Sequence, residues 1–181
     1  MAYVPPTTGA YYHTYRVKLL LSECSTWQTL VGAERKLTKI GAHQAEWCEL
    51  GLPCAVVHRD EGSNRTRSGT GGYFQSSNLM AISFYLRPPK KWNDQVINSD
   101  EDKILWTEDV IGTIVLEMEA LQSTDWTDGY THLSFTSTTV EAGPFLVAAE
   151  ELPSIDENNP YSEEFQGTDI TAMQILLEAS P

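Results

Sequence analysis

The segment from Ser76 to Gln122 constrains this chain more than any other, because the period of its apolar residues switches once, from two to about 3.6. In Asn78-Leu79-Met80-Ala81-Ile82-Ser83-Phe84-Tyr85-Leu86, one face reads Met80, Ile82, Phe84, Leu86 and the other Leu79, Ala81, Ser83, Tyr85. That alternation predicts a strand buried on at least one face. Pro88 and Pro89 lack the amide hydrogen that a ladder needs, so the strand stops and the chain turns. Ser99 followed by Asp102 fits a capping box, with Glu101 and Asp102 favourably placed at the positive end of a helix dipole. A helix over Ser99 to Gln122 follows. Ile104, Ile111, Ile114, Val115, Met118 and Leu121 form its apolar stripe, while Lys103, Glu108, Glu117 and Gln122 decorate the rest. A strand feeding one long helix, with further strands on either side in sequence, predicts an α+β fold. The expected architecture is a small, mostly antiparallel sheet of about four strands, one long helix packed on one face, and short N-terminal helices.

At 181 residues the chain can bury a core without metal or disulfide staples, and it reads as a single domain, 1–181. Its formal charge of −13, from 12 Lys+Arg against 25 Asp+Glu, argues against a general nucleic-acid binder, since neutralising phosphates requires a basic surface. No run approaches the roughly 18 apolar residues of a membrane span, and Met1 to Gly9 lacks the basic start and apolar core of a signal peptide. A soluble chain made in the cytoplasm is expected. Cys24, Cys48 and Cys54 are an odd, sparse set that does not suit a secreted disulfide framework.

Along the chain, Pro5, Pro6 and Gly9 mark residues 1–10 as an extended N-terminal arm. Tyr12, Tyr15, Leu19, Leu20 and Cys24 recur at helical spacing. Ser25 is positioned to cap a turn through Trp27 and Leu30 that Gly32 stops. Glu34 to Ile40 reads as another short helix and Gly41 to Gly51 as a linker. Leu52 to His58 is a β-branched run entered through Pro53, hence a strand. Arg59 to Gly72 holds four glycines, two serines and three arginines with hardly an apolar group, which predicts a mobile hairpin loop. Leu133 to Val140 alternates as a strand ended by Gly143-Pro144, with Phe145 to Ala149 a brief extended or helical piece. Glu150 to Glu164 is acidic and aperiodic, a second exposed loop. Ile170 to Leu177 is a final strand with Met173, Ile175 and Leu177 on one face.

Chemistry is hard to find in this pattern. His43, Cys48, Cys54 and His58 are soft and imidazole ligands, but intervals of four, five and three residues match no common zinc arrangement. Gly69-Thr70-Gly71-Gly72 leads into a strand and not a helix, so it lacks the context of a phosphate cradle. No nucleophile elbow occurs. The acidic run Glu150, Glu151, Asp156 and Glu157 lacks the alternating ligands of a calcium loop and reads as a solvated or partner-facing segment. Asn64-Arg65-Thr66 is formally a glycosylation acceptor, without meaning in a chain that is not secreted. No metal, cofactor or catalytic residue is expected. The candidate protein-contact residues are Arg59, Arg65 and Arg67, a concentration of cations in an acidic chain, together with Glu150, Glu151, Asp156 and Glu157. The alternative for both groups is a solvated loop.

The series of elements resembles the tail terminator, or minor tail (tail completion), proteins of long-tailed bacteriophages. It comprises a helical N-terminus, the proline-led Leu52-Pro53-Cys54-Ala55-Val56-Val57, a long loop, and Ile82-Ser83-Phe84-Tyr85-Leu86-Arg87-Pro88. One long helix, a third strand, an acidic loop and the strand Thr168 to Leu177 complete it. Ser25-Thr26-Trp27-Gln28-Thr29-Leu30-Val31-Gly32 is similar to an N-terminal stretch of related tail proteins, with Trp27 in the aromatic position. The chain is longer than compact members in its arm, in Gly41 to Gly51 and in Glu150 to Glu164. The resemblance implies a non-enzymatic virion protein of the tail or neck. It would form a homo-oligomeric, hexameric ring that caps the tail tube protein, ends its polymerisation and meets the head-tail connector, while DNA passes through without specific binding and no membrane is involved. Tyr11, Tyr12, Trp92, Trp126 and Tyr161 are aromatics of the type favoured at interfaces. The alternatives are a head-closure or neck connector protein, or a soluble ligand-binding domain or enzyme whose site has no recognisable motif.

Overall fold

The computed structural model of the chain describes residues 13–32, 38–40, 52–59, 65–68, 73–76, 78–123, 134–147 and 170–180. In chain order its elements are α1 (His13–Glu23), α2 (Ser25–Val31), β1 (Thr38–Ile40), β2 (Cys54–Arg59), β3 (Arg65–Ser68), β4 (Tyr73–Ser76) and β5 (Asn78–Leu86). They continue with β6 (Lys91–Trp92), β7 (Gln95–Val96), α3 (Asp100–Ser123), β8 (Ser134–Leu146) and β9 (Thr171–Ser180). The main sheet has the order β1-β2-β5-β9-β8. Only β1 and β2 pair in parallel; every other pair in it is antiparallel. The α+β architecture with a long helix on one sheet face is therefore as the sequence predicts, with five strands in place of about four. The additional strand is β1, in a stretch expected to be helical. Three residues are too few to display a period, and β-branched Thr38 and Ile40 take the conformation that pairing with β2 imposes.

The α3 start is local chemistry. The Asp102 amide donates to Ser99 Oγ at 3.0 Å and the Ser99 amide donates to Asp102 Oδ2 at 2.9 Å, the reciprocal pair of a capping box. The Ser99 amide first, then the Ser99 side chain and the Asn98 amide, hold the Asp102 carboxyl below its ordinary pKa.

Period two in the strands and 3.6 in the helices converge on a single core. Cross-strand partners Val57, Ile82 and Ile175 make one buried row and Ala55, Phe84 and Met173 the next. Over these rows lie Trp106, Val110, Ile111, Ile114 and Met118 of α3, and Val17, Leu20, Leu21 and Trp27 of the first two helices. Trp27 meets Phe84 edge to face with centroids 5.7 Å apart, a contact worth about 1 kcal/mol beyond its area. The buried apolar stripe of α1 is Val17, Leu20 and Leu21, continued by Cys24 at the start of α2. Tyr15 and Leu19, expected on it, are half-buried at its margin. On α3, Trp106 and Val110 join the stripe and Ile104 sits at its edge. A smaller cluster of Cys54, Val56, Tyr85, Val147, Ile170 and Ala172 occupies the opposite sheet face.

Glu117, expected as solvent decoration, instead closes the start of α2. Ser25 Oγ donates to its Oε1 at 2.6 Å, the Thr26 amide to its Oε2 at 3.0 Å, and Thr26 Oγ1 to its Oε1 at 2.8 Å. Ser25 therefore does not cap α2. Cys24 occupies the cap position without a side-chain cap bond, and the carboxylate arrives from another helix. Gly32 stops α2 with a positive φ of 67°, as predicted.

Two further expectations are corrected. β8 does not end at Gly143-Pro144; it continues to Leu146 as the outermost strand, with register shifts at Phe135/Ser137, Val140/Ala142 and Ala142/Phe145. An edge strand tolerates proline at a bulge because its outer amides owe no ladder bond. The loop Arg59 to Gly72 contains strand β3, which pairs with β4 in a separate two-stranded ribbon. Tyr73 and Phe74, which pair with Ser68 and Arg67, lie just beyond the stretch whose composition predicts a loop.

Candidate interaction surface

α3 serves the core with one side and leaves another facing outward beside β8. Between them runs an open groove of about 540 Å³. Ile111, Val115 and Leu116 of α3 form one wall, Val140 of β8 the other, and Met173 and Ile175 of β9 the floor. Leu116 and Val140 are 66% and 57% exposed, unusual for large apolar side chains that line one concavity. Glu108, Gly112, Val115 and Glu119 follow one another at the i, i+4, i+7, i+11 spacing of a single helical stripe, so two carboxylates flank the groove along its length; Asp109 adds a third.

Gly112 sits in mid-helix, where glycine costs about 1 kcal/mol relative to alanine. A Cβ added there would meet nothing within 4 Å. Packing among the described residues thus gives no reason for glycine at this position.

The expected contact residues distribute unevenly. Arg59 ends β2 opposite Met80; Arg65 and Arg67 lie in β3 opposite Ser76 and Phe74. The ribbon thus brings Arg65 and Arg67 to alternate positions of one short strand. Glu150, Glu151, Asp156 and Glu157 lie outside the described residues, as do the arm 1–10, the linker Gly41 to Gly51 and Gly69 to Gly72. The groove carboxylates Glu108, Asp109 and Glu119 were missed, although one sequence signal was available: a glycine in the middle of an otherwise strong helical pattern.

Of the four weighed metal ligands, His43 and Cys48 lie outside the described residues. Cys54 and His58 are four residues apart on β2, roughly 13 Å along a strand, too far to share an ion. Among the described residues no group of three His, Cys, Asp or Glu side chains converges. A second hollow of about 130 Å³, on the other sheet face, is lined by Ser83, Tyr85, Ala142, Phe145, Ala172 and Gln174, which supply no carboxylate, imidazole or thiol. Trp92 is half-buried and meets Trp106 edge to face at 5.8 Å, so it belongs to the hairpin β6–β7 and α3 contact and is not an exposed interface aromatic. Tyr11, Tyr12, Trp126 and Tyr161 lie outside the described residues.

No protein-family model and no curated protein matches this chain. What the described residues offer is an apolar groove with a carboxylate border. No helix among the described residues is long and apolar enough to cross a membrane.

Proposed function

We propose that this chain is a non-enzymatic structural protein of a bacteriophage tail, a terminator that forms a ring on the end of the tail tube, stops its growth and joins it to the head connector. One observation carries the reading. The described elements follow the order of the resemblance around one sheet: paired short helices, proline-led β2, an excursion, β5 followed by Pro88, one long helix, and then β8 and β9, with all three helices on the same face. The acidic balance of the chain supports it, since a wall of negative charge lets DNA pass without the counterion release that would hold it. In this reading the chain belongs to the tail or neck of the virion and its partners are further copies of itself, the tube protein and the connector.

The test is to add the purified chain to polymerising tail tubes and measure their lengths and ends by electron microscopy. Rings at tube ends and a fixed length are expected. Tubes that grow on unchanged would refute the terminator role, and binding to filled heads but not to tubes would make it a neck protein instead.

A further inference from the structure

The groove beside α3 combines three features that point to an occupant. Leu116 and Val140 on its walls are exposed, its border is acidic, and its middle is opened by a glycine that no contact among the described residues requires. An occupant should therefore bring apolar groups flanked by cations and approach the helix backbone closely at Gly112. The chain holds only 12 Lys+Arg, and three of them, Arg59, Arg65 and Arg67, fall within nine consecutive residues that run into the ribbon β3–β4. The ladder of that ribbon sets Arg67 directly across from Phe74 and Arg65 from Ser76, so cations and an aromatic residue are neighbours in register. The ribbon is hydrogen-bonded to no strand of the main sheet and springs from β2 and β5, whereas the groove borders β8, the far edge beyond β9.

We propose that the ribbon β3–β4 of one copy docks in the α3–β8 groove of the next copy, with Arg65 and Arg67 meeting Glu108, Asp109 and Glu119. The two surfaces are different patches of the same chain, so the contact is head-to-tail. A contact of that kind generates a closed ring when its rotation closes and a filament when it does not. The bulges and Pro144 of β8 keep the neighbour from extending the sheet itself, leaving the groove, and not the strand edge, as the place to dock. The contact specifies how the proposed ring is joined and rests on that reading only in requiring that copies associate.

The test uses the full chain, with self-association followed by sedimentation and folding by circular dichroism. Arg65→Glu with Arg67→Glu reverses the ribbon; Glu108→Lys with Glu119→Lys reverses the groove. Each double variant alone sets like charge against like, with Asp109 the one unaltered carboxylate in the groove variant, and should associate at least about tenfold more weakly than the unaltered chain. Mixed together, each reversed surface meets a complementary one, and association should return. Gly112→Ala should raise the melting temperature of the isolated subunit while weakening association, an opposition that a merely structural glycine would not produce. Unchanged association in both double variants, no recovery on mixing, or Gly112→Ala associating normally would overturn the docking mode while leaving the ring reading intact if the variants still cap tubes. An unaltered chain that stays monomeric at every concentration and on tube ends would overturn both.

Discussion

The Thr171 hydroxyl donates to Thr107 Oγ1 across 2.7 Å, joining the first residue of β9 to α3 inside the core. The direction follows from counting hydrogens. Thr107 has one hydroxyl hydrogen, and it goes to the Lys103 carbonyl at 2.8 Å, which can only accept. Thr171 must therefore be the donor, and both side chains are fully buried.

Because the roles differ, the two valine substitutions should differ as well. Thr107→Val leaves the Thr171 hydroxyl buried with no acceptor and should cost about 1–3 kcal/mol, whereas Thr171→Val leaves Thr107 bonded to Lys103 and should cost about 1 kcal/mol. The double variant should be less damaging than the sum of the two. Urea denaturation of the four proteins in the cycle measures this, and equal single costs would reverse or abolish the assigned direction.

Partial burial by itself raises the Glu117 carboxyl, but the bonds from Ser25 and Thr26 together outweigh it and hold the group below its ordinary value of 4.5. A depressed folded-state pKa contributes stability that is present above the unfolded value and lost as pH falls through the folded one. Stability should accordingly drop below about pH 4.5 in part through this residue. Glu117→Gln should flatten that portion of the profile, and Glu117→Ala should cost about 1 kcal/mol at neutral pH, the usual worth of a helix cap. Melting curves between pH 3 and 7, a window set by ordinary carboxylate titration, would show the same acid limb in Glu117→Gln if the clamp does not operate.

Burial first, then the nearby Glu117 and Glu23 carboxylates, pushes the Cys24 thiol up to about 12. Its Sγ–H points to the Leu20 carbonyl at 3.4 Å. The thiolate is the reactive form, so Cys24 should resist alkylation at pH 8 in the native protein and react readily once unfolded. The raised value also means that this residue's contribution to stability is complete below about pH 9 and lost as pH rises from there toward 12. Pulse alkylation with peptide mass spectrometry reads out Cys24 individually; rapid native labelling would contradict its burial.

Gly143→Ala should destabilise by at least about 2 kcal/mol, because two penalties coincide. The residue has a φ of 83°, and an added Cβ would lie 2.6 Å from the Ala172 carbonyl oxygen, a backbone atom of β9 that cannot swing away. Alanine at Gly112, with open space around it, should do the opposite. A pair of urea midpoints shifted in the same direction would undo the contrast.

What the sequence discloses here depends on distance along the chain. The Ser99–Asp102 cap and the alternation of Asn78 to Leu86 are complete within a few residues, and both stand in the structure at the predicted places. Glu117 and Thr26 are 91 positions apart, so no local pattern distinguishes that carboxylate from solvated Glu108. β1 exists because β2 is there to pair with it, and β8 passes Pro144 because it happens to be outermost; each depends on a neighbour that arrives from elsewhere in the chain. The groove was illegible for the same reason, since its floor, walls and border come from three elements.

The position of β9 has a consequence for synthesis. It follows every other described strand in sequence, yet it lies between β5 and β8, which pair with it and not with each other. A ribosome delivers the N-terminal helices, β2, β5 and α3 well before the strand that joins β8 to them. The nascent chain must therefore hold β5 with one side unpaired and much of α3 without its floor of Met173 and Ile175 until β9 has been made. The sheet closes only when β9 arrives, and until then the open edge of β5 is a template for pairing with another chain.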